Sequence, residues 1–468
     1  MTPRIPPSKS AVSPARAAAF DILLRVERES SYASDLLHSA THERLSTPDH
    51  ALATELVMGI LRWRSRLDAE IATASSQPLS KLDTEILVAL RLAVYQFLWL
   101  DRVPQRAALH ESVELVKRAR KRSAASFVNA VLRKLSKTAT KPDILATTEK
   151  SSPEALASAL AQPLWLVERW AREYGLTAAR QICRYNQSAP KTSIRLRLPS
   201  AEEELRQDGV TLKPGSLLAT ARCVQTGDIA RGITKTQAFR SGHIVIQDEA
   251  SQLVADLVDP GICTEGLRIL DCCAAPGGKT LAIADHNPSA AITAVELHPH
   301  RARLLQKLLQ LHSSHSPAGI QIVAADAQHL PLSQPFDRVL ADVPCSGTGT
   351  LARNPEIKWR LTLGDLAELH ERQSAIVRSA LSQIAPGGRF IYSTCSLEKE
   401  ENENVVEQAL SEDPSLRLVD CRSELERLKA GGQLTWPDIA SLIRGPYLRT
   451  VPGVQPCDGF FAAILEKV

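Results

Sequence analysis

Residues 268–280 read RILDCCAAPGGKT, and the fold is decided by how this stretch breaks. Arg268–Cys272 is a short apolar run of the kind that fills a buried strand, and Ala274–Thr280 turns it into a helix. Paired glycines let the backbone approach a ligand closely, while a helix N-terminus presents free N–H donors. Working outward, the same strand–loop–helix pattern recurs. Further strands are predicted at Ile292–Leu297, Ile320–Ala325, Phe336–Val343 and Arg389–Thr394, then at Leu416–Asp420 and Phe460–Glu466, with helical stretches such as Leu363–Ile384 between them. Apolar strands alternating with helices predict an α/β domain, placed at 246–468, whose largely parallel sheet is covered on both faces. Ligands of such sheets bind beyond the carboxyl ends of the strands, and the chemistry-bearing motifs fall at those ends.

Glu296 ends the second strand, nineteen residues past Gly277, and Asp326 ends the third. A carboxylate so placed can accept both hydroxyls of a ribose, so loop, acid and acid describe a site for an adenosine-containing ligand. Two rival readings lose ground. GGKT resembles the end of a phosphate-binding loop, but Cys273 stands where G-x-x-x-x-G-K-[ST] requires its first glycine. The dinucleotide signature G-x-G-x-x-G is absent.

The fourth and fifth strand ends each carry a cysteine, in ADVPCSG (341–347) and YSTCS (392–396). If those strands are adjacent, both thiols reach one crevice. A thiolate adding to C6 of cytosine makes C5 nucleophilic toward an electrophilic methyl group. A carboxyl group at N3 stabilises charge arriving on the ring, and a base must then remove the C5 proton. Cys395, Asp342 and Cys345 suit the roles of nucleophile, acid and base. An ordinary thiol needs help to ionise, with Lys279 the candidate helper. Cys183, Cys223, Cys263, Cys421 and Cys457 read instead as packed core residues.

Of 468 residues, 44% are hydrophobic, enough for about three domains at ~150 residues each. Residues 1–138 read as a helical bundle, with apolar positions such as Leu52, Leu56 and Ile60, or Leu87, Leu90 and Val94, at helical spacing. Residues 139–160 read as a linker, and 161–245 as a small α+β module in which Ser193–Leu198 alternates like a half-buried strand. Between Asp101 and Lys137 lie ten Lys/Arg against three Asp/Glu. Lys117, Arg118, Arg120, Lys121 and Arg122 in that run suit a polyanion such as RNA, the alternative being a solvated helix face. Nine cysteines without framework spacing suit a reducing, cytoplasmic setting, and clustered metal-ligand spacing is absent. No apolar stretch is long enough for a membrane span, and the first residues, MTPRIPPSKSAVSPAR, read as a short disordered leader in preference to a transit peptide.

The motifs DCCAAPGGKT, AVELHPHR, AADA, ADVPCSGTGTLARNPEIKWR, YSTCSLEKEENE and PCDGFFAAILEK resemble those of the RNA 5-methylcytosine methyltransferases of the Sun/Nop2 family. The segments ALATELVMGILRWR, LRLAVYQFLWLDRVP and SFVNAVLRKL resemble the NusB RNA-binding fold, a combination that points to the family's RsmB-type branch. The resemblance implies a Rossmann-like, seven-stranded sheet with its last strand antiparallel. S-adenosyl-L-methionine would be held by Cys273, Ala274, Ala275, Pro276, Gly277, Gly278, Lys279, Glu296, Asp326 and Asp342. Cys395 would be the nucleophile and Cys345 would assist adduct breakdown. The substrate implied is small-subunit rRNA before full assembly, at cytosine 967 of 16S rRNA, acted on by a monomer without metal. Glu296 stands where Asp is common and Cys272 where a small or apolar residue is usual; neither affects the expected activity. Competing expectations are another RNA (tRNA or large-subunit rRNA), a DNA cytosine enzyme with Cys345 as nucleophile, and a non-enzymatic NusB-like RNA-binding factor.

Overall fold

A computed structural model describes residues 12–29, 31–39, 42, 44–138, 152–225, 232–258, 266–312 and 319–468. Most of the expected leader, residues 139–151 of the linker and Cys263 lie outside them. The chain packs as two units, Met1–Ala189 with Leu351–Arg360, and Pro190–Thr350 with Leu361–Val468.

The first unit is helical. Its helices are Pro14–Glu29, Ala33–Leu37, Thr47–Ala74, Thr84–Trp99, Gln105–Arg118 and Ala125–Thr138, followed by Pro153–Ala159, Leu164–Tyr174 and Leu176–Gln187. The apolar stripes read from the sequence make one core, where Leu23, Leu56, Ile60, Leu90, Val94, Val131 and Leu135 are buried. Each such side chain contributes roughly 1.5–3 kcal/mol on leaving water. Ser46 caps the longest helix by accepting from Asp49 N, with proline in the first turn.

Residues 351–360, inside a motif expected to belong wholly to the α/β domain, pack in this helical unit. Trp359 Nε1 donates to Leu61 O at 2.6 Å, and Arg360 Nη2 to Val26 O and Ser31 O at 2.6 and 2.7 Å. Ala33 N donates to Glu356 Oε1 at 2.8 Å. The Lys358 ammonium, 2% exposed, donates to Arg62 O and Ala161 O at 2.9 and 2.7 Å, and burial pushes its pKa down.

The second unit holds two sheets. The smaller is antiparallel, with β1 (Thr192–Leu196), β2 (Leu212–Pro214), β3 (Ala221–Val224) and β4 (Ile244–Ile246) in the order β2-β3-β1-β4. The alternation expected of β1 as a half-buried strand does not hold. Ser193, Ile194 and Arg195 are all buried, because Arg195 reaches the carboxylate of Asp285 at 2.7 Å instead of water. Cys223, read as core, is half-buried beside Glu249.

The larger sheet comprises β5 (Arg268–Asp271), β6 (Ala291–Glu296), β7 (Gly319–Ala324), β8 (Phe336–Asp342), β9 (Ile384–Thr394), β10 (Leu416–Val419), β11 (Ile443–Arg444), β12 (Tyr447–Thr450) and β13 (Phe460–Lys467). Strands β7, β6, β5, β8 and β9 run parallel in that order, and β13 joins β9 antiparallel. The sheet has nine strands rather than the expected seven. The far edge of β13 is shared, its C-terminal half pairing β10 and its N-terminal half pairing β12, which forms a hairpin with β11. These added strands are only two and four residues long, too short to register as a period-two pattern. Helices such as Gly278–His286 and Leu363–Leu381 separate the parallel strands in the chain, as a parallel ladder requires.

Candidate active site

The RILDCC strand ends in a turn held from both sides. Cys272 N donates to Leu340 O on β8, and Ala274 N donates to Val295 O on β6. Asp271 closes the turn by accepting from Thr280 Oγ1 at 2.7 Å, and burial pushes its carboxyl up to about 6. Ala275 and Pro276 follow, joined by a cis peptide, and Arg301 Nη2 donates to Ala275 O at 3.0 Å. Gly277 has φ +113°, a conformation that side chains disfavour, and a Cβ there would come within 2.6 Å of Leu305. Gly278 then begins the helix Gly278–His286. The Cys273 thiol is also pushed up by burial and by neighbouring carboxylates, which suits packing and not nucleophilic attack.

The two acids lie where the strand pattern put them. Glu296, almost fully buried, ends β6; its Oε1 accepts from His298 N at 3.0 Å and lies 3.7 Å from Arg301. Asp326 follows β7 and accepts from Gln328 N at 2.9 Å. Two carboxylates with a glycine turn on adjacent parallel strands fit a diol-bearing ligand, so the donor set suits the adenosine group expected from the sequence.

Strands β8 and β9 bring the remaining residues together. Asp342 and Ser393 are register partners across them, and Ser393 Oγ donates to Asp342 Oδ1 at 2.7 Å. The other Asp342 oxygen accepts from Lys279 Nζ at 2.7 Å, tying the glycine turn to the cysteine-bearing strand end. The Lys279 ammonium also lies 4.9 Å from the ring centre of Phe460. Just beyond the strand ends, Cys345 Sγ and Cys395 Sγ are 3.3 Å apart. The hydrogen bond to Cys395, then burial, push the Cys345 thiol well up, so it stays protonated at neutral pH. Lys279, a candidate for activating Cys395, instead has its ammonium on Asp342.

Reading the sequence missed the supports of this site. Asp271, Thr280, Ser393 and Arg301 hold its loops, and Glu401 bonds the serines after both cysteines. The serines were visible in Pro-Cys-Ser and Thr-Cys-Ser. Glu401 was not singled out, because it is one of four glutamates in EKEENE and nothing in the sequence marks which of them is buried. Gly349 is a further case, since a Cβ there would come within 2.2 Å of Gly459 O.

In the helical unit, Lys117, Arg118 and Arg122 line one groove of about 470 Å³ with Val12, Ala17 and Glu114. Three members of the expected RNA-binding run are in ion pairs, Lys117 with Glu114, Arg118 with Asp21 and Lys121 with Asp83. Arg120, exposed, adopts positive φ at the end of its helix. Among the described residues no helix is long and apolar enough to cross a membrane, and no cluster of three or more His, Cys, Asp or Glu is placed to hold a metal ion.

Comparison with known proteins agrees with both units. Residues 263–466 match the family described as 16S rRNA methyltransferase RsmB/F, and residues 13–137 match the NusB family. The chain is 32% identical over 465 residues to a probable ribosomal RNA small subunit methyltransferase B of Bacillus subtilis, covering 97% of this chain and 98% of that one. It is 29% identical over 460 residues to ribosomal RNA small subunit methyltransferase B of Vibrio cholerae serotype O1, covering 97% of each. The crystal structure of PH0851 shares the fold, with a TM-score of 0.78 at 24% identity over 98% of this chain and all of that one. Matched over nearly its whole length by such a relative, and with a NusB-type region preceding the methyltransferase region in the sequence, the chain belongs to the RsmB/F family of 16S rRNA methyltransferases.

Proposed function

We propose that this enzyme methylates C5 of a cytosine in small-subunit rRNA, cytosine 967 of 16S rRNA, through a covalent Cys395–C6 adduct. The observation that carries the reading is the 3.3 Å separation of the two sulfurs beside an Asp342 already paired with Lys279. S-adenosyl-L-methionine would be held by residues 273–279 with Glu296, Asp326 and Asp342, and it supplies an electrophilic methyl group. The chain's own groups do the rest. Cys395 adds to C6 as a thiolate, forming the C–S bond and moving the C5–C6 electron pair to C5. Asp342 would relay a proton from the Lys279 ammonium to N3, leaving Lys279 as the amine and neutralising charge that reaches the ring, and the same proton returns when the adduct breaks down. After C5 is methylated, Cys345 takes the C5 proton, and the C–S electrons return to Cys395 as the double bond re-forms. A thiol does not accept a proton, so Cys345 must first give its own to solvent. The hydrogen bond to Cys395 that raises the Cys345 thiol is lost once Cys395 is bound to C6, which eases that ionisation.

A 3.3 Å sulfur pair alone is compatible with either cysteine as nucleophile; the family resemblance of the YSTCS strand end favours Cys395. The test uses single substitutions with labelled cofactor and RNA. Cys395→Ala should abolish protein–RNA adducts, whereas Cys345→Ala should accumulate them. The reverse pattern would make Cys345 the nucleophile and refute the assignment. For the substrate, bisulfite sequencing of rRNA from a strain lacking the protein should show one small-subunit cytosine lose protection. An unchanged small-subunit pattern with a lost tRNA or large-subunit site would move the substrate to that RNA. The basic groove of Lys117, Arg118 and Arg122 is proposed to contact RNA phosphates.

A further inference from the structure

Glu401 is fully buried yet touches none of the groups that react. It lies in a short helical turn, Lys399–Glu401, beyond Cys395. Its Oε1 accepts from Ser346 N at 2.7 Å and from Gln373 Nε2 at 2.9 Å. Its Oε2 accepts from both Ser346 Oγ and Ser396 Oγ. A bare carboxylate this deep would carry a large desolvation cost, and four donors offset it. All four are neutral, so what they gain is geometry and not charge cancellation. Two belong to Ser346 and one to Ser396, the residues that directly follow Cys345 and Cys395. The serine hydroxyls themselves lie 3.1 Å apart. Gln373 spans the same point from the helix Leu363–Leu381, donating also to Pro344 O at 3.0 Å, on the other side of Cys345. Tyr392 OH donates to the Glu401 carbonyl at 2.6 Å, anchoring the turn to β9.

We propose that Glu401 is the positioning residue that sets the distance between the two thiols, by holding the two post-cysteine serines on one carboxylate. The part concerning turnover rests on the covalent mechanism above; the part concerning sulfur spacing does not. Glu401 therefore governs the steps that need both sulfurs, and leaves cofactor affinity unchanged because the glycine turn is built elsewhere.

The spacing is read by oxidising the enzyme with diamide. Two thiols give up two protons and two electrons to the azo bond, forming a Cys345–Cys395 disulfide and the hydrazine. Peptide mapping of the full-length protein measures the rate. Glu401→Ala should slow cross-linking at least tenfold. Glu401→Gln should stay within about threefold of the parent, since its amide oxygen keeps one pair of donors and the serine hydroxyls can turn to accept from its NH2. A Ser346→Ala/Ser396→Ala double variant supplies the same readout without touching the carboxylate, should Glu401→Ala not fold. In turnover, Glu401→Ala should lower kcat at least tenfold with KM for cofactor unchanged, and Glu401→Gln should recover most of it. Parental cross-linking rates in Glu401→Ala or in the double serine variant overturn the proposal, whatever happens to kcat. Slowed cross-linking alongside intact methylation by Cys395→Ala supports the positioning role and removes the covalent mechanism, so the two failures are distinguishable.

Discussion

Replacing Gly349 by alanine should disable catalysis while sparing cofactor binding. The added Cβ would lie 2.2 Å from Gly459 O and 2.8 Å from Cys395 O, both backbone atoms that cannot rotate away. Real Cβ contacts essentially begin at 3.0 Å, so the chain around Gly459 must retreat by about 0.8 Å. The retreat strains two hydrogen bonds of 2.9 Å each, Gly349 N to Cys395 O and Gly459 N to Gly349 O. Each is worth about 1 kcal/mol net, and overpacking adds roughly 1–3 kcal/mol, for a stability loss of about 3–5 kcal/mol. The Cys395 carbonyl, 2.8 Å from the same Cβ, must give way as well, so the backbone of the proposed nucleophile is displaced together with that of Gly459. Misplacing a reacting group by about 1 Å costs on the order of a hundredfold in rate. The assay pairs urea unfolding with single-turnover methyl transfer to rRNA, and follows cofactor affinity by calorimetry. A single-turnover rate within threefold of the parent would falsify the claim that Gly349 holds the Cys395 loop, even if stability falls as expected.

Gly277→Ala puts a side chain at φ +113°, which alanine disfavours, and its Cβ 2.6 Å from a Leu305 methyl and 2.9 Å from a Leu308 methyl, so the turn is strained and its packing must adjust. Calorimetry should show at least tenfold weaker cofactor binding, and unchanged affinity would contradict the role given to the turn. Asp271 keeps its proton to about pH 6 in the fold but loses it near 3.8 when unfolded, so its contribution is fullest below 3.8 and is lost as pH rises to 6. Asp271→Asn removes that loss, of order 3 kcal/mol, and should raise Tm at pH 8 but not at pH 4; an equal change at both would refute it. Because its hydrogen bond to Cys395 is the largest cause raising the Cys345 thiol, Cys395→Ala should speed alkylation of Cys345 at pH 8 several-fold. An unchanged rate would leave burial and the Glu401 charge as the causes. Finally, Lys117→Ala/Arg118→Ala/Arg122→Ala should weaken RNA binding and flatten the salt slope by about 2, measured by filter binding between 50 and 200 mM salt. A parental slope would mean those charges are spent on Glu114 and Asp21.

What could be read in the one-dimensional chain was whatever local periodicity and strand-end position encode. The five parallel strands, the glycine turn, Glu296, Asp326, Asp342 and both cysteines were legible, because each sits where an apolar run stops and a parallel sheet must open its ligand crevice. The helical bundle was legible for the same reason, its apolar stripes repeating at the helical period. Contacts between residues far apart in sequence left no such trace. Residues 351–360 read as one motif with Cys345, yet their side chains bond to helix carbonyls some three hundred positions earlier. Arg195 looked like the solvent face of a strand until Asp285 arrived from the helix Gly278–His286 to pair with it. Glu401 is one of four glutamates in EKEENE, and only folding surrounds it with four donors and closes water out. A side chain's burial and partners are properties of the packed neighbours, and tertiary structure alone decides which neighbours those are.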